Sequence, residues 1–174
     1  AKVVICGKGV YTNSLTKTFT IRPETMASAV ITGCKAKYSY TGKQVKPLIQ
    51  VVWNGKILRN NTDYTLLYKN NKKRGSAGIV VTGKGNYSGT LTASFTIVRA
   101  SVKKASVTGL KAVYARTGKA VKPKVTVKLG GKKLKKKRDY ILSYRKNKKK
   151  GTALLYVKGV GNYSGTKKMK FKIR

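Results

Sequence analysis

The stretch GKGNYSGTLTASFTI, residues 83–97, is the clearest guide to the fold, because it recurs as GKGVYTNSLTKTFTI at residues 7–21 and as GVGNYSGTKKMKFKI at residues 159–173. In each copy a glycine-containing turn precedes a run in which apolar residues occupy alternate positions. Such alternation is typical of a β-strand with one buried face. Gly7, Gly83 and Gly159 open the three copies at equal intervals, which predicts a repeat architecture.

The similarity extends well beyond this stretch. The same offset aligns residues 31–97 with 107–173 without a gap, and 34 of the 67 positions are identical. We therefore predict two full repeats, residues 22–97 and 98–174, preceded by residues 1–21 as the C-terminal remnant of another repeat. We also expect that the chain was cut from a longer array, and that the remnant, where ordered, packs against the first full repeat or pairs with a neighbouring chain.

In the rest of each repeat, apolar residues occupy every second position of the extended runs, and tight turns join these runs. Tyr64, Leu66 and Tyr68 alternate along one run, and the pairs Asn54-Gly55 and Gly130-Gly131 lie between extended runs, where a hairpin needs positive φ. No helical pattern stands out. The sequence predicts an all-β fold of tandem small β-sandwich (Ig-like) repeats, with a β-grasp-like variant as the alternative.

The composition is strongly basic, with 41 Lys and Arg against 3 Asp and Glu and a formal net charge of +38. Residues 98–174 hold 26 of the basic residues and one acid, whereas residues 22–97 hold 12 and two. Histidine is absent, so the usual general base and metal-ligand clusters are missing. We expect no enzyme, no metal site and no cofactor, and the lack of a long apolar run argues against membrane insertion.

The combined motifs YTGK.VKP, DYTLLYKNNKK.G.A and TGKGNYSGTLTASFTI resemble the tandem Ig-like or MBG-type repeats of large surface and secreted proteins of gut Firmicutes. The resemblance covers nearly the whole chain. It implies extracellular or cell-surface, wall-associated modules without catalytic activity that form stalks or present other domains, often in adhesive or carbohydrate-related proteins. It implies no particular ligand, and the strong basic charge of the second repeat departs from a neutral stalk.

Two basic runs flank the predicted strand DYILSY, and together they are the predicted polyanion-binding site. The expected partner is an anionic cell-wall polymer or acidic glycan, besides neighbouring repeats of the same chain. The alternatives are a nucleic-acid-binding protein, an adhesin module that binds a host protein or glycan through Trp53 or a loop, and a charged surface that only keeps the chain soluble. The site residues are Lys132, Lys133, Lys135, Lys136, Lys137, Arg138, Arg145, Lys146, Lys148, Lys149 and Lys150.

Cys6 and Cys34 both depart from the repeat consensus, on opposite sides of the first junction. This paired departure predicts a disulfide in an oxidising compartment, and two independent small hydrophobic residues are the alternative.

Among the three carboxylates, Asp63 and Asp139 share one repeat position before a tyrosine, which favours turn or salt-bridge roles over a catalytic pair. The recurring tyrosines are predicted to be core and corner residues.

Overall fold

A computed structural model describes all of residues 1–174 and confirms the prediction of an all-β, sandwich-like fold. The helical content is one 3₁₀ turn, η1 (Val102–Lys104), and no helix has the length and hydropathy needed to cross a membrane. The first ten strands are β1 (Lys2–Cys6), β2 (Ser14–Thr18), β3 (Glu24–Thr25), β4 (Val30–Thr32), β5 (Lys37–Ser39), β6 (Gln50–Trp53), β7 (Lys56–Leu58), β8 (Tyr64–Lys69), β9 (Gly75–Gly83) and β10 (Tyr87–Ser88).

Ten further strands follow in the C-terminal half. They are β11 (Thr90–Val98), β12 (Ala100–Ser101), β13 (Ser106–Thr108), β14 (Val113–Tyr114), β15 (Thr126–Leu129), β16 (Lys132–Lys133), β17 (Tyr140–Arg145), β18 (Gly151–Gly159), β19 (Tyr163–Ser164) and β20 (Thr166–Ile173). Two four-stranded sheets have the orders β5-β11-β9-β8 and β14-β20-β18-β17, and two three-stranded sheets have the orders β4-β6-β7 and β13-β15-β16. The remaining pairs are β1-β2, β3-β10 and β12-β19.

The predicted hairpin turns are confirmed. Asn54 and Gly55 have φ values of 47° and 76°, and Gly130 and Gly131 have φ values of 55° and 76°. Positive φ at both central residues defines the turn whose twist matches that of the antiparallel strands it joins. These turns therefore join β6 to β7 and β15 to β16.

The chain forms two compact units. The first comprises residues 1–33, 48–67 and 79–93, and the second comprises residues 34–47, 68–78 and 94–174. This division cuts across the repeats predicted to begin at residues 22 and 98, and those boundaries remain a prediction. The core of the first unit is built from its fully buried apolar side chains, which include Met26, Val51, Leu58, Ile79 and Val81.

The core of the second unit follows from alternation along its two long strands. Ala153, Leu155 and Val157 point inward from β18, and Phe171 and Ile173 do so from β20. Their neighbours on the same strands are half-buried or exposed, as period two requires. The other buried members of this cluster are Ala100, Val102, Ala105, Val127, Leu134, Tyr140 and Tyr163.

Residues 1–21 form a hairpin, but the expectation that it packs against the first full repeat is wrong. Strands β1 and β2 pair from Lys2↔Thr18 to Cys6↔Ser14, and every residue of the segment is exposed. Phe19 and Ile21 are 50% and 74% exposed, although the equivalent Phe171 and Ile173 are buried. In this structure β1 and β2 pair only with each other, and no further strand covers their apolar residues.

Deletion of residues 1–21 is expected to change the free energy of unfolding of the remaining chain by no more than about 0.5 kcal/mol, because no residue of the segment is buried. Thermal and urea denaturation of the truncated and intact chains would measure the difference. A much larger loss would mean that the hairpin packs onto the rest of the protein in solution.

The predicted disulfide is not formed in the structure, where Cys6 and Cys34 are free thiols. Cys6 is exposed at the end of β1, and the Cys34 thiol lies 3.6 Å from the carbonyl oxygen of Lys35, to which it donates a weak hydrogen bond. The two cysteines lie in different compact units.

Candidate polyanion-binding surface

The first basic run, residues 132–138, is called the basic turn. Lys132 and Lys133 form β16, and all six of its cationic side chains are exposed. Leu134 is the exception to this exposure: it is buried in the core, and its amide donates to the carbonyl of Val127. One inward leucine thus anchors the run while the charges around it face solvent.

Asp139 holds the basic turn in place. Its carboxylate accepts a hydrogen bond of 2.8 Å from the amide of Lys135 and two of 2.9 Å from the guanidinium of Arg138. The Arg138 guanidinium, followed by the Lys135 amide, holds the pKa of this buried carboxyl below its usual value. Asp139 therefore has a structural role in the basic turn, as its position in the repeat predicts.

The second basic run, residues 145–150, is called the basic loop. Asn147 fixes it, because its side-chain amide donates to the carbonyl of Val121 and its own carbonyl accepts from the Val121 amide. The five cationic side chains of the loop remain exposed. With Asn147 and Thr152, four of them line an open cavity of about 500 Å³: Lys146, Lys148, Lys149 and Lys150.

The two runs lie at opposite ends of β17, which is the outer strand of its sheet. At about 3.3 Å per residue, the five steps from Tyr140 to Arg145 separate them by about 17 Å. They border one sheet edge, as the polyanion hypothesis requires, but they do not form a single cluster. A ligand that contacts both must be an extended polymer.

A third basic surface lies on the exposed face of the same sheet, outside the eleven predicted residues. Lys168, Lys170 and Lys172 alternate along β20 with inward-facing residues. The register pairs Lys168 with Tyr156 of β18, which places the half-buried tyrosine on the lysine face. The predicted polyanion-binding site contains neither these lysines nor Tyr156. The available signal was the alignment of the two repeats, in which Tyr156 replaces Val80.

The recurring tyrosines have structural roles. Tyr38 and Tyr114 pack edge-on against Phe95 and Phe171, with ring centroids 5.2 and 5.4 Å apart. Tyr163 is buried in the core of the second unit. These contacts agree with the predicted core and corner positions, so these rings are not free to stack on bases.

Trp53 and Asp63 are also engaged in contacts within the first compact unit. The indole nitrogen of Trp53 donates to the carbonyl of Thr25 at 3.0 Å, and its ring lies edge-on to Tyr87. Asp63 accepts a hydrogen bond from the Arg59 amide, which lowers the pKa of this carboxyl. The half-buried Trp53 is thus a packing residue in this structure, and Asp63 closes a turn.

Comparison of the chain with protein families, with curated proteins and with solved structures finds no match.

Proposed function

We propose that this chain is a non-catalytic structural and binding segment of a bacterial cell-surface or secreted protein. Its basic C-terminal part contacts an anionic polymer outside the cell, either a cell-wall polymer or an acidic polysaccharide. The excess of cations over carboxylates in residues 98–174 supports this proposal, because Asp139 is their one acidic side chain and is already paired. The exposed cations therefore need an external counterion.

Two lysines in the left-handed backbone conformation carry the proposal. Lys137 of the basic turn has φ 69°, and Lys146 of the basic loop has φ 55°. The equivalent residues of the first repeat are Asn61 and Asn70, with φ values of 66° and 54°. Asparagine tolerates this conformation, whereas other side chains raise its energy. Lysine at both positions therefore lowers the stability of the fold, which indicates that its charge serves binding.

Affinity for an anionic polymer is expected to fall on the order of 1,000-fold between 50 and 200 mM salt, because about six ion contacts release their counterions on binding. Titrations of the full chain with purified cell-wall polymer, with heparin and with single-stranded DNA over a salt series would measure this slope. Binding that is absent, or that is insensitive to salt, would contradict the proposed function. Tight binding of DNA alone would favour the nucleic-acid alternative.

The double substitution Lys137→Asn/Lys146→Asn is expected to raise the free energy of unfolding by about 0.5–1 kcal/mol while weakening polymer binding several-fold. Stability rises because the left-handed strain and some like-charge repulsion are relieved, and binding falls because two contacts are lost. Urea denaturation and titration at 100 mM salt would measure the two effects. The control Lys2→Thr/Lys17→Thr removes the same charge from the exposed hairpin and is expected to leave both quantities nearly unchanged. A double variant that is less stable than the wild type would contradict the argument.

A further inference from the structure

The exposed face of the sheet β14-β20-β18-β17 gathers cations around one aromatic ring. Antiparallel partners share a face, so the pairs Tyr156↔Lys168 and Lys158↔Thr166 place Tyr156 and Lys158 beside the lysines of β20. The Arg145 guanidinium lies 5.8 Å from the centre of the Tyr156 ring. We call this set of residues the basic sheet face: Arg145, Tyr156, Lys158, Lys168, Lys170 and Lys172.

The fold does not require the four lysines that β18 and β20 contribute to this face, whereas Arg145 of β17 corresponds to Lys69 and is a cation in both repeats. At the equivalent positions of β9 and β11 the sequence has Val80, Thr82, Thr92, Ser94 and Thr96, which lie on strands with the same alternation of burial. Threonine suits an exposed strand better than lysine does, and neighbouring like charges on a sheet repel one another. The lysines therefore lower stability at a face where neutral residues suffice.

No side chain of the second compact unit neutralises this face. Its single acidic side chain, Asp139, is 5% exposed and bonded to Arg138. Lysines two residues apart on β20 are separated by about 6.7 Å, so they present a regular row of charges. An extended polyanion that runs along the strand would meet successive cations.

A cavity of about 390 Å³ lies at one end of the face, between β14, β18 and β20. Lys170, Lys172 and Arg174 contribute cations to its lining, and the exposed Ala112 and Val113 contribute apolar surface. An acidic sugar combines the same two properties, because a pyranose ring has apolar faces and bears a carboxylate or sulfate at its edge.

A single half-buried aromatic ring on this face, Tyr156, fits a glycan better than a nucleic acid. Proteins that bind single-stranded nucleic acid stack successive bases on several aromatic side chains. On this sheet the cross-strand neighbours of Tyr156 are Ser143 and Lys168, and Leu154 lies two residues before it on β18. One ring that packs on one sugar, with charges on both sides, matches a chain of charged sugars.

We propose that the basic sheet face binds an acidic polysaccharide, with a sugar ring packed on Tyr156 and the carboxylate or sulfate groups paired with Lys168, Lys170 and Lys172. This inference rests on the proposed function, to which it adds a site and a polymer class. The basic turn and basic loop then extend the contact beyond the sheet face.

The test uses the full chain and a heparin oligosaccharide of about eight sugars as the probe, with an equally long oligo-dT for comparison. The triple substitution Lys168→Thr/Lys170→Ser/Lys172→Thr introduces the residues found at the equivalent positions of the first repeat, so the variant is expected to fold. We expect affinity for the oligosaccharide at 100 mM salt to fall at least 30-fold, against less than threefold for the control Lys2→Thr/Lys8→Thr/Lys17→Thr.

The substitution Tyr156→Val tests the ring contact separately from charge. We expect it to weaken oligosaccharide binding about fivefold at 300 mM salt, where ionic contacts are screened. Placing lysines at Thr92, Ser94 and Thr96 in the triple variant restores its net charge and is not expected to restore its affinity.

The outcomes separate this inference from the proposed function. If the wild type binds none of the anionic polymers, both fail. If the wild type binds and the triple variant behaves like its control, the site is wrong while the proposed function stands on the basic turn and loop. Tighter binding of oligo-dT than of the oligosaccharide at 300 mM salt, lost on Tyr156→Val, would overturn the polymer class.

Discussion

Phe171→Ala is expected to lower the free energy of unfolding by about 3–5 kcal/mol, the usual loss when a large core aromatic side chain is truncated. Phe171 is 2% exposed, and Tyr114 packs edge-on against its ring. The truncation leaves a cavity among β14, β18 and β20 that the surrounding strands cannot close. Urea denaturation followed by circular dichroism would measure the loss, and the unfolding of the second compact unit should shift to lower denaturant.

Phe19→Ala is the matched control, because Phe19 occupies the same position of the repeated motif. Its side chain is 50% exposed on an isolated hairpin, so the expected change is within about 0.5 kcal/mol. Identical motif positions should thus differ by several kcal/mol in their effect. Equal losses in the free energy of unfolding of the two variants would contradict the exposure of Phe19 on the hairpin.

Asp139→Ala is expected to lower the free energy of unfolding by about 2–3 kcal/mol, because it removes three hydrogen bonds and leaves the Lys135 amide without its acceptor. The loss is concentrated in the basic turn, whose cations then repel one another without a carboxylate among them. Asp139→Asn keeps an acceptor oxygen and is expected to lose only about half as much. An alanine variant that loses no more than an ordinary surface substitution does, about 0.5 kcal/mol, would contradict the anchoring role.

The same carboxylate makes stability depend on pH in the acid range. Arg138 and the Lys135 amide lower the pKa of Asp139 below its ordinary value of 3.8, so the folded state releases this proton more readily than the unfolded state. The stabilisation is therefore present above that ordinary value and is lost as the pH falls through the folded-state pKa. Urea midpoints of the wild type and Asp139→Asn should converge between pH 5 and pH 2, and a constant gap would contradict this account.

Alternation and turn chemistry are local properties, and they were predictable. The inward positions of β18 and β20, the turns at Asn54-Gly55 and Gly130-Gly131, and the turn role of Asp139 all follow from spacing within a few residues. The exposure of the basic runs was equally predictable, because unpaired lysines are rarely buried. The left-handed conformations of Lys137 and Lys146 could not be read from the residues themselves, since lysine does not favour them.

The all-β class and the concentration of charge in residues 98–174 are readable from the residues alone, because two-residue alternation and composition need no knowledge of distant contacts. Which cations stand together depends instead on the pairing of strands that are distant in the chain. Strand register placed Tyr156 beside Lys168, and the length of β17 separated the basic turn from the basic loop. The motif copies at residues 7–21 and 159–173 also differ in burial for a tertiary reason. Burial depends on neighbouring strands, which cover Phe171 in this structure but do not cover Phe19.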